Sequence, residues 1–442
     1  MWPRTCAIAA CALLALVLAR AEARGAAAAP SWPQLWARRT EIPTKAAVRL
    51  VLADLDGDGA DDPLVVSGAR GTSWRVLALD GRTGRALWEW TRGRRVEVAL
   101  ADLDDRAGEE VLAAAGDTLW VLRGADGVVA SAVRLRAPVG EIAVARLDGR
   151  AGPDVVYTAG EEYDDVLVAL SGGTWQELWA RRTDVERAPL GGGFGALAVA
   201  DLDGGARDEI LVTERRNSLL CLDSAGSARW SATLGQKSRY LPEGVASCAP
   251  LAAVFSGQGP ADVAIGCFAG ALVLLDGARG EELLRLQFGL DAHARHASDA
   301  RIPGFVRDAL ARTGEPISEL SPVDLDGQPG AELVFGSSDG SVYAVAPLTG
   351  ETLWRFESES DVYDRCLAVP RAGAPLVVAW DVEATYVLDG ASGKLMGRLA
   401  LPGGASAVGR GDVNADGLLD VVAIPFGERT VRAWSTGVAV AR

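Results

Sequence analysis

Three observations predict an all-β chain folded as a single β-propeller, with eight four-stranded blades as the count. A two-part text recurs along nearly the whole chain with a period of about 45–50 residues, the range in which repeats build solenoids or rings. Each unit is made of short alternating apolar runs, such as VLVAL at Val166–Leu170 and SVYAV at Ser341–Val345. Runs of that length suit half-buried strands, and the Gly and Asp between them are hairpin punctuation. The third observation is an orphan at the start. Gln34–Thr40 (QLWARRT) repeats the outer-strand text ELWARRT of Glu177–Thr183, yet no unit precedes it. The last unit reaches its turn at Ser435–Gly437 with only Val438–Arg442 remaining. The strand near Leu35–Arg39 is therefore expected to join the last blade and close the ring, which hides sheet edges. Val438–Val440 filling that place is the competing arrangement.

The first half of each unit is a strand, an aspartate loop and a second strand. The fullest loop lies in Ala53–Val66, ADLDGDGADDPLVV, with Asp54, Asp56, Asp58 and Asp62 at positions one, three, five and nine and Gly59 at six. Alternate carboxylates on a curling backbone can converge on one point, and the glycine permits the positive φ of a sharp bend. Two bare carboxylates about 4 Å apart repel by roughly 4 kcal/mol at an effective dielectric near 20. Such a cluster favours a hard cation with oxygen ligands, and Ca²⁺ fits best. The pattern returns as Asp412, Asn414, Asp416, Gly417 and Asp420. Between these lie partial copies. Asp102, Asp104 and Glu110 have Arg106 at the third ligand position, and Asp148 and Asp154 have Arg146 and Arg150 at two others. Asp201, Asp203 and Glu209 have Gly205 at the third position. The fifth copy is worn to Ser256, Gln258 and Asp262, the sixth keeps Asp324, Asp326 and Glu332, and the seventh, around Cys366–Val378, has lost its acids. For the partial loops, an Asx turn that stabilises a hairpin without metal is the competing reading.

The second half is a strand, a D-G-x-x-G-like turn and a strand that often carries Leu-Trp, cleanest in Val76–Trp90, VLALDGRTGRALWEW. Insertions break the period at Arg182–Gly193, Gly235–Ser247 and Phe288–Ser318. All three join one unit to the next, so all should emerge on one face of the ring. Ile302–Arg312 has helical spacing of Phe305, Val306 and Leu310. Long loops on a rigid scaffold usually carry binding, and aromatics and Arg dominate interfaces. Tyr240, Arg301 and Phe305 are the candidate partner contacts on that face.

Composition narrows the class. Apolar residues are 49% and charged residues 23% of 442, enough for a substantial core. A net charge of −15 argues against nucleic acid, which needs a basic footprint, and against anionic lipid. Residues 1–23 read as an export signal: Arg4, the apolar run Cys6–Leu18 and small-residue exits near Ala23. A linker over 24–33 and the propeller over 34–442 follow. An uncleaved anchor is the alternative. No other segment is apolar for long enough to cross a membrane, so the mature chain is expected to be periplasmic or secreted. Export permits disulfides, with Cys248–Cys267 the first pair to test, while buried free thiols are the other reading for Cys221, Cys248, Cys267 and Cys366.

The complete loops resemble the calcium loops of FG-GAP/VCBS repeats, the family that includes the integrin α-chain propeller. The second halves, LDGRTGRALWEW and APLTGETLWRF (Ala346–Phe356), resemble PQQ-like propeller repeats. Together the resemblances cover nearly all of Leu35–Arg442. They imply structural Ca²⁺ held by Asp54, Asp56, Asp58, the Ala60 carbonyl and Asp62, and by Asp412, Asn414, Asp416, the Leu418 carbonyl and Asp420. They imply weaker sites at Asp102/Asp104/Glu110, Asp201/Asp203/Glu209 and Asp324/Asp326/Glu332. For function, the expectation is a non-enzymatic scaffold for a protein or carbohydrate partner. A PQQ-dependent dehydrogenase or a polysaccharide-processing propeller is the alternative. The adjacent cysteine pair typical of such dehydrogenases is absent, no catalytic base stands out, and His293 and His296 lack the H-E-x-x-H frame.

Overall fold

The computed structural model describes residues 32–42, 46–69, 71–104, 106–150, 152–160, 166–183, 193–214, 217–235, 245–290, 315–358, 365–371, 375–401 and 403–437. Within them run thirty-two strands in eight four-stranded antiparallel sheets. The first blade is Ala47–Ala53, Asp62–Gly68, Trp74–Leu79 and Ala86–Arg92, paired in chain order. Blades two to seven repeat that order over 96–134, 139–182, 194–233, 251–287, 317–357 and 365–398. The eighth is Ala405–Gly411, Asp420–Pro425 and Thr430–Trp434, and its outer strand is Gln34–Arg39 from the other end of the chain. Ring closure therefore follows the N-terminal arrangement, with Trp36 opposite Ala433 and Arg39 opposite Thr430. Trp32 and Pro33, placed by the sequence in a linker, are docked on the ring: Trp32 packs in the core between blades seven and eight, and Ser435 N donates to Pro33 O at 2.9 Å. The signal segment lies outside the described residues. Among the described residues no helix is long and apolar enough to cross a membrane.

Each core cluster joins two neighbouring blades, because the second and third strands of every sheet are apolar on both faces. The outer strands alternate, and their inward Trp, which follows Leu except at Trp230, where it follows Arg229, does more than fill space. Its indole N–H reaches across to a carbonyl in the turn of the next blade: Trp36 to Gly81 at 2.6 Å, Trp179 to Ser224 at 2.9 Å, Trp230 to Gly277 at 2.9 Å, Trp354 to Gly390 at 2.7 Å, and Trp88 to Gly124. The ring of that Trp then lies over the last glycine of the same turn. Gly84, at φ +67°, would place a Cβ 2.6 Å from the Trp36 ring, so the turn requires glycine for both its backbone and its clearance. Trp354→Phe keeps the apolar contact and removes one hydrogen bond. It should cost about 1 kcal/mol, read as a lower midpoint in denaturant with an unchanged slope.

One cysteine expectation is corrected. Cys248 and Cys267 are buried thiols and do not form a disulfide, and Cys221 is likewise a buried free thiol. Cys248 Sγ instead accepts from Gly266 N at 3.3 Å, and burial pushes the thiols of Cys248 and Cys221 up to about 12 and that of Cys267 to about 11.

Candidate metal loops and the insertion face

The aspartate loops and the turns between third and outer strands lie together on one face. The ends of the inter-blade connections lie on the opposite face. In the first loop one oxygen from each of Asp54, Asp56 and Asp58 lies within 4.8 Å of the others. The backbone shapes this convergence: Asp54 accepts from Gly57 N at 2.7 Å and Gly59 N at 3.0 Å, Asp56 from Asp58 N, and Asp58 from Ala60 N. Burial, with Asp58 beside it, raises the Asp56 carboxyl above its usual range. The Arg82 hydrogen bond holds Asp58 below it. All donors are hard oxygens, the set Ca²⁺ takes, so the residues present fit the ion implied by the loop pattern. In the eighth loop Asp412 accepts from Asp416 N and Gly417 N, Asn414 from Asp416 N, and Asp416 from Leu418 N, the same curl with an amide as second donor. The partial sets Asp102/Asp104/Glu110, Asp201/Asp203/Glu209 and Asp324/Asp326/Glu332 also converge within 4.8 Å.

The position-nine acid has a further role, which the spacing alone did not reveal. In six blades it turns inward and accepts the backbone N–H of position two: Asp62 from Leu55, Glu110 from Leu103, Asp154 from Leu147, Glu209 from Leu202, Glu332 from Leu325 and Asp420 from Val413. The second Asp62 oxygen accepts from Gly81 N at 2.7 Å, tying the loop to the neighbouring turn. Burial pushes Asp62 and Asp420 up to about 7.

Because the ring closes between the first and eighth blades, the two complete loops are neighbours. Asp61 N donates to Asp412 O and Asp412 N to an Asp61 carboxylate oxygen, both at 2.8 Å. Arg82 spans the seam, bonding Asp58 Oδ2 at 2.7 Å, Asp58 O at 3.1 Å and Asn414 O at 2.9 Å. The same loop-to-loop link recurs from Glu109 N to Asp54 O, Asp208 N to Arg146 O and Ala331 N to Val254 O.

The arginines at lost ligand positions divide in two ways. Arg106 and Arg150 stay with their own loops, 3.4 Å from Asp104 and 3.7 Å from Asp148. Arg146 reaches instead to Asp208 of the next blade, with Nε 3.1 Å from Oδ1. Sequence reasoning missed Arg82, Asp61 and Arg229. Arg229 had a readable signal: it precedes Trp230 where Leu35, Leu178 and Leu353 precede their own Trp residues.

The three insertions leave an outer strand and enter the next inner strand, so their attached ends lie on the face opposite the acids. Tyr240, Arg301, Phe305, the two histidines and the helix expected at Ile302–Arg312 lie outside the described residues. On this face the structure has a cavity of about 570 Å³ beside the inner strands of blades three to five. Glu141, Ala196, Thr213, Glu214, Val245–Ala249 and the exposed Phe268 line it.

A family profile described as outer membrane protein assembly factor BamB matches residues 72–290. No curated protein sequence matches the chain. Among solved structures, BamB from Moraxella catarrhalis is 14% identical with a TM-score of 0.56, covering 91% of this chain and 99% of its own. The computationally designed Ika8 protein is 17% identical with a TM-score of 0.55, covering 90% and 100%. BBS1N, solved in complex with ARL6DN, is 12% identical with a TM-score of 0.51, covering 93% and 99%. At these identities the likeness is one of fold: the chain is an eight-bladed β-propeller, with a BamB-type PQQ-like repeat match across residues 72–290.

Proposed function

We propose that the protein is an exported, calcium-binding propeller that acts without catalysis, presenting its insertion face to a protein or glycan partner. The observation that carries the reading is the division of labour between the two faces. The acid loops and their arginines bind blade to blade on one face, which is the work of a stiffener. The other face bears the long connections and the 570 Å³ cavity, within the usual range of binding pockets. The resemblance to FG-GAP/VCBS loops supports Ca²⁺ in a stabilising role. The BamB likeness and the BBS1N structure, itself solved with a protein partner, are compatible with a scaffold.

The test is affinity capture from an extracytoplasmic extract with the intact chain and with one whose Phe288–Ser318 connection is shortened. The shortened chain should melt normally and lose at least about ten-fold of the captured partner. Undiminished capture, or dye-linked alcohol oxidation on adding PQQ, would reject the reading.

A further inference from the structure

The acid loops are not equivalent, and the fourth holds an arginine from its own outer strand against its acids. Its carboxylates Asp201, Asp203 and Glu209 converge within 4.8 Å, yet the third ligand position is Gly205. Into this acid group projects Arg229 from the outer strand of the same blade. Its Nη1 lies 2.7 Å from Asp203 Oδ2 and 2.6 Å from Glu209 Oε1. The Glu209 side chain is 6% exposed and the arginine 26%, so the pair is largely shielded from water. In blades three, five, six and eight the corresponding outer-strand residue is an exposed leucine, Leu178, Leu283, Leu353 and Leu35, and in the first blade it is the half-buried Leu87. Arg82 at the first loop is different. It bonds Asp58 and the Asn414 carbonyl at the rim of the cluster, and it makes no bond to Asp54 or Asp56.

We infer that Arg229 is a built-in cation that substitutes for a divalent ion in the fourth loop, so that blade four is charge-compensated between two of its acids without metal, while at the seam Arg82 pairs with Asp58 alone. This deepens the calcium reading of the seam and rests on it for the contrast between blades. The physical reason is substitution of charge in the same space. A guanidinium between Asp203 and Glu209 screens their repulsion with fixed hydrogen bonds, and a divalent ion would have to displace it. Loss of the third side-chain donor at Gly205 removes the metal's advantage in the same loop. Ca²⁺ dependence should therefore be distributed unevenly round the ring, concentrated where the first and eighth blades meet.

The experiment is hydrogen exchange on the full mature chain in Ca²⁺ and in chelator, with terbium luminescence as an independent reading of bound ion. In the wild type, chelation should raise exchange at least about three-fold in residues 54–62 and 412–420 and leave 201–209 unchanged. Arg229→Leu installs the residue that the sister blades use. It should make 201–209 respond to Ca²⁺ and add about one bound terbium per chain. Arg229→Lys should retain the wild-type insensitivity, and adding Asp203→Asn to Arg229→Leu should abolish the gained site. If Arg229→Leu gains neither binding nor Ca²⁺-dependent protection while remaining folded, the inference is wrong even though the seam may respond. A wild-type 201–209 segment that responds to chelation also overturns it. A gain in Arg229→Leu with a silent seam sustains the inference and rejects the calcium reading of the seam.

Discussion

A chain starting after residue 42 should lose on the order of 10 °C in Tm, or emerge as soluble aggregate on gel filtration. The deleted stretch holds the outer strand of blade eight and links that blade through the chain to the first. It buries Trp36 and Ile42, and it covers Val431, Ala433 and the fully buried Trp434. Deleting a buried Trp alone costs about 3–5 kcal/mol, and the Trp36 bond to Gly81 and the ladder to Thr430–Trp434 go with it. The exposed edge of Thr430–Trp434 would then be a template for pairing between chains. Trp36→Ala should produce part of the loss without aggregation. A synthetic peptide spanning residues 32–42 should restore the melt when added to the truncated chain. A truncated chain that melts like the intact one would mean that residues after 437 take the place of Gln34–Arg39.

Asp62→Ala should cost about 2–6 kcal/mol even in chelator. The Leu55 and Gly81 N–H groups both donate to this carboxylate, and each buried donor left without a partner costs about 1–3 kcal/mol. Asp62→Asn retains one acceptor and should cost roughly half as much. The pH dependence separates this anchoring role from metal binding. Burial holds Asp62 and Asp420 at about 7 in the folded chain, above the usual carboxylate value near 3.9. Between about pH 4 and pH 7 the folded metal-free state therefore binds more protons than the unfolded one. Stability falls as pH rises through that window, by up to about 1.4 kcal/mol per pH unit for each carboxyl. Asp62→Asn should flatten that slope, and Ca²⁺, which favours the ionised acids, should reverse it. Equal slopes for wild type and Asp62→Asn in chelator would contradict the burial account.

The propeller was legible because a blade is a local object. Strand, loop, strand, turn and strand fall within one period, and alternation with Gly-Asp punctuation marks each of them. Closure was legible too, since QLWARRT repeats the outer-strand text ELWARRT of Glu177–Thr183. What the spacing did not disclose is what the neighbouring blade does. The Leu-Trp text marks an outer strand, and the bonds of Trp36 and Trp354 to Gly81 and Gly390 arise only when blades pack side by side. Asp62 and Glu332 look like ligands in the loop pattern, yet packing turns each toward the backbone of position two. The spacing puts Arg146 at a ligand position of its own loop, and packing aims it at Asp208 of the next. The cysteine pair failed for a related reason. Nearness along adjacent strands brings Cys248 and Cys267 into one blade without bonding them, and Cys248 meets a backbone N–H instead. The contacts proposed at Tyr240, Arg301 and Phe305 lie in connections whose course the repeat pattern does not set.

Calorimetric titration of Ca²⁺ into the chelated mature chain, paired with a thermal melt, bears most directly on the whole account. At about millimolar Ca²⁺, sites near 10⁻⁴ M add about 1.4 kcal/mol each. Binding at the two seam loops should therefore raise the Tm by a few degrees, and Asp54→Asn with Asp412→Asn should remove both heat and shift. An absence of binding heat together with identical melts in Ca²⁺ and chelator would show that the acids of the seam are turn formers alone.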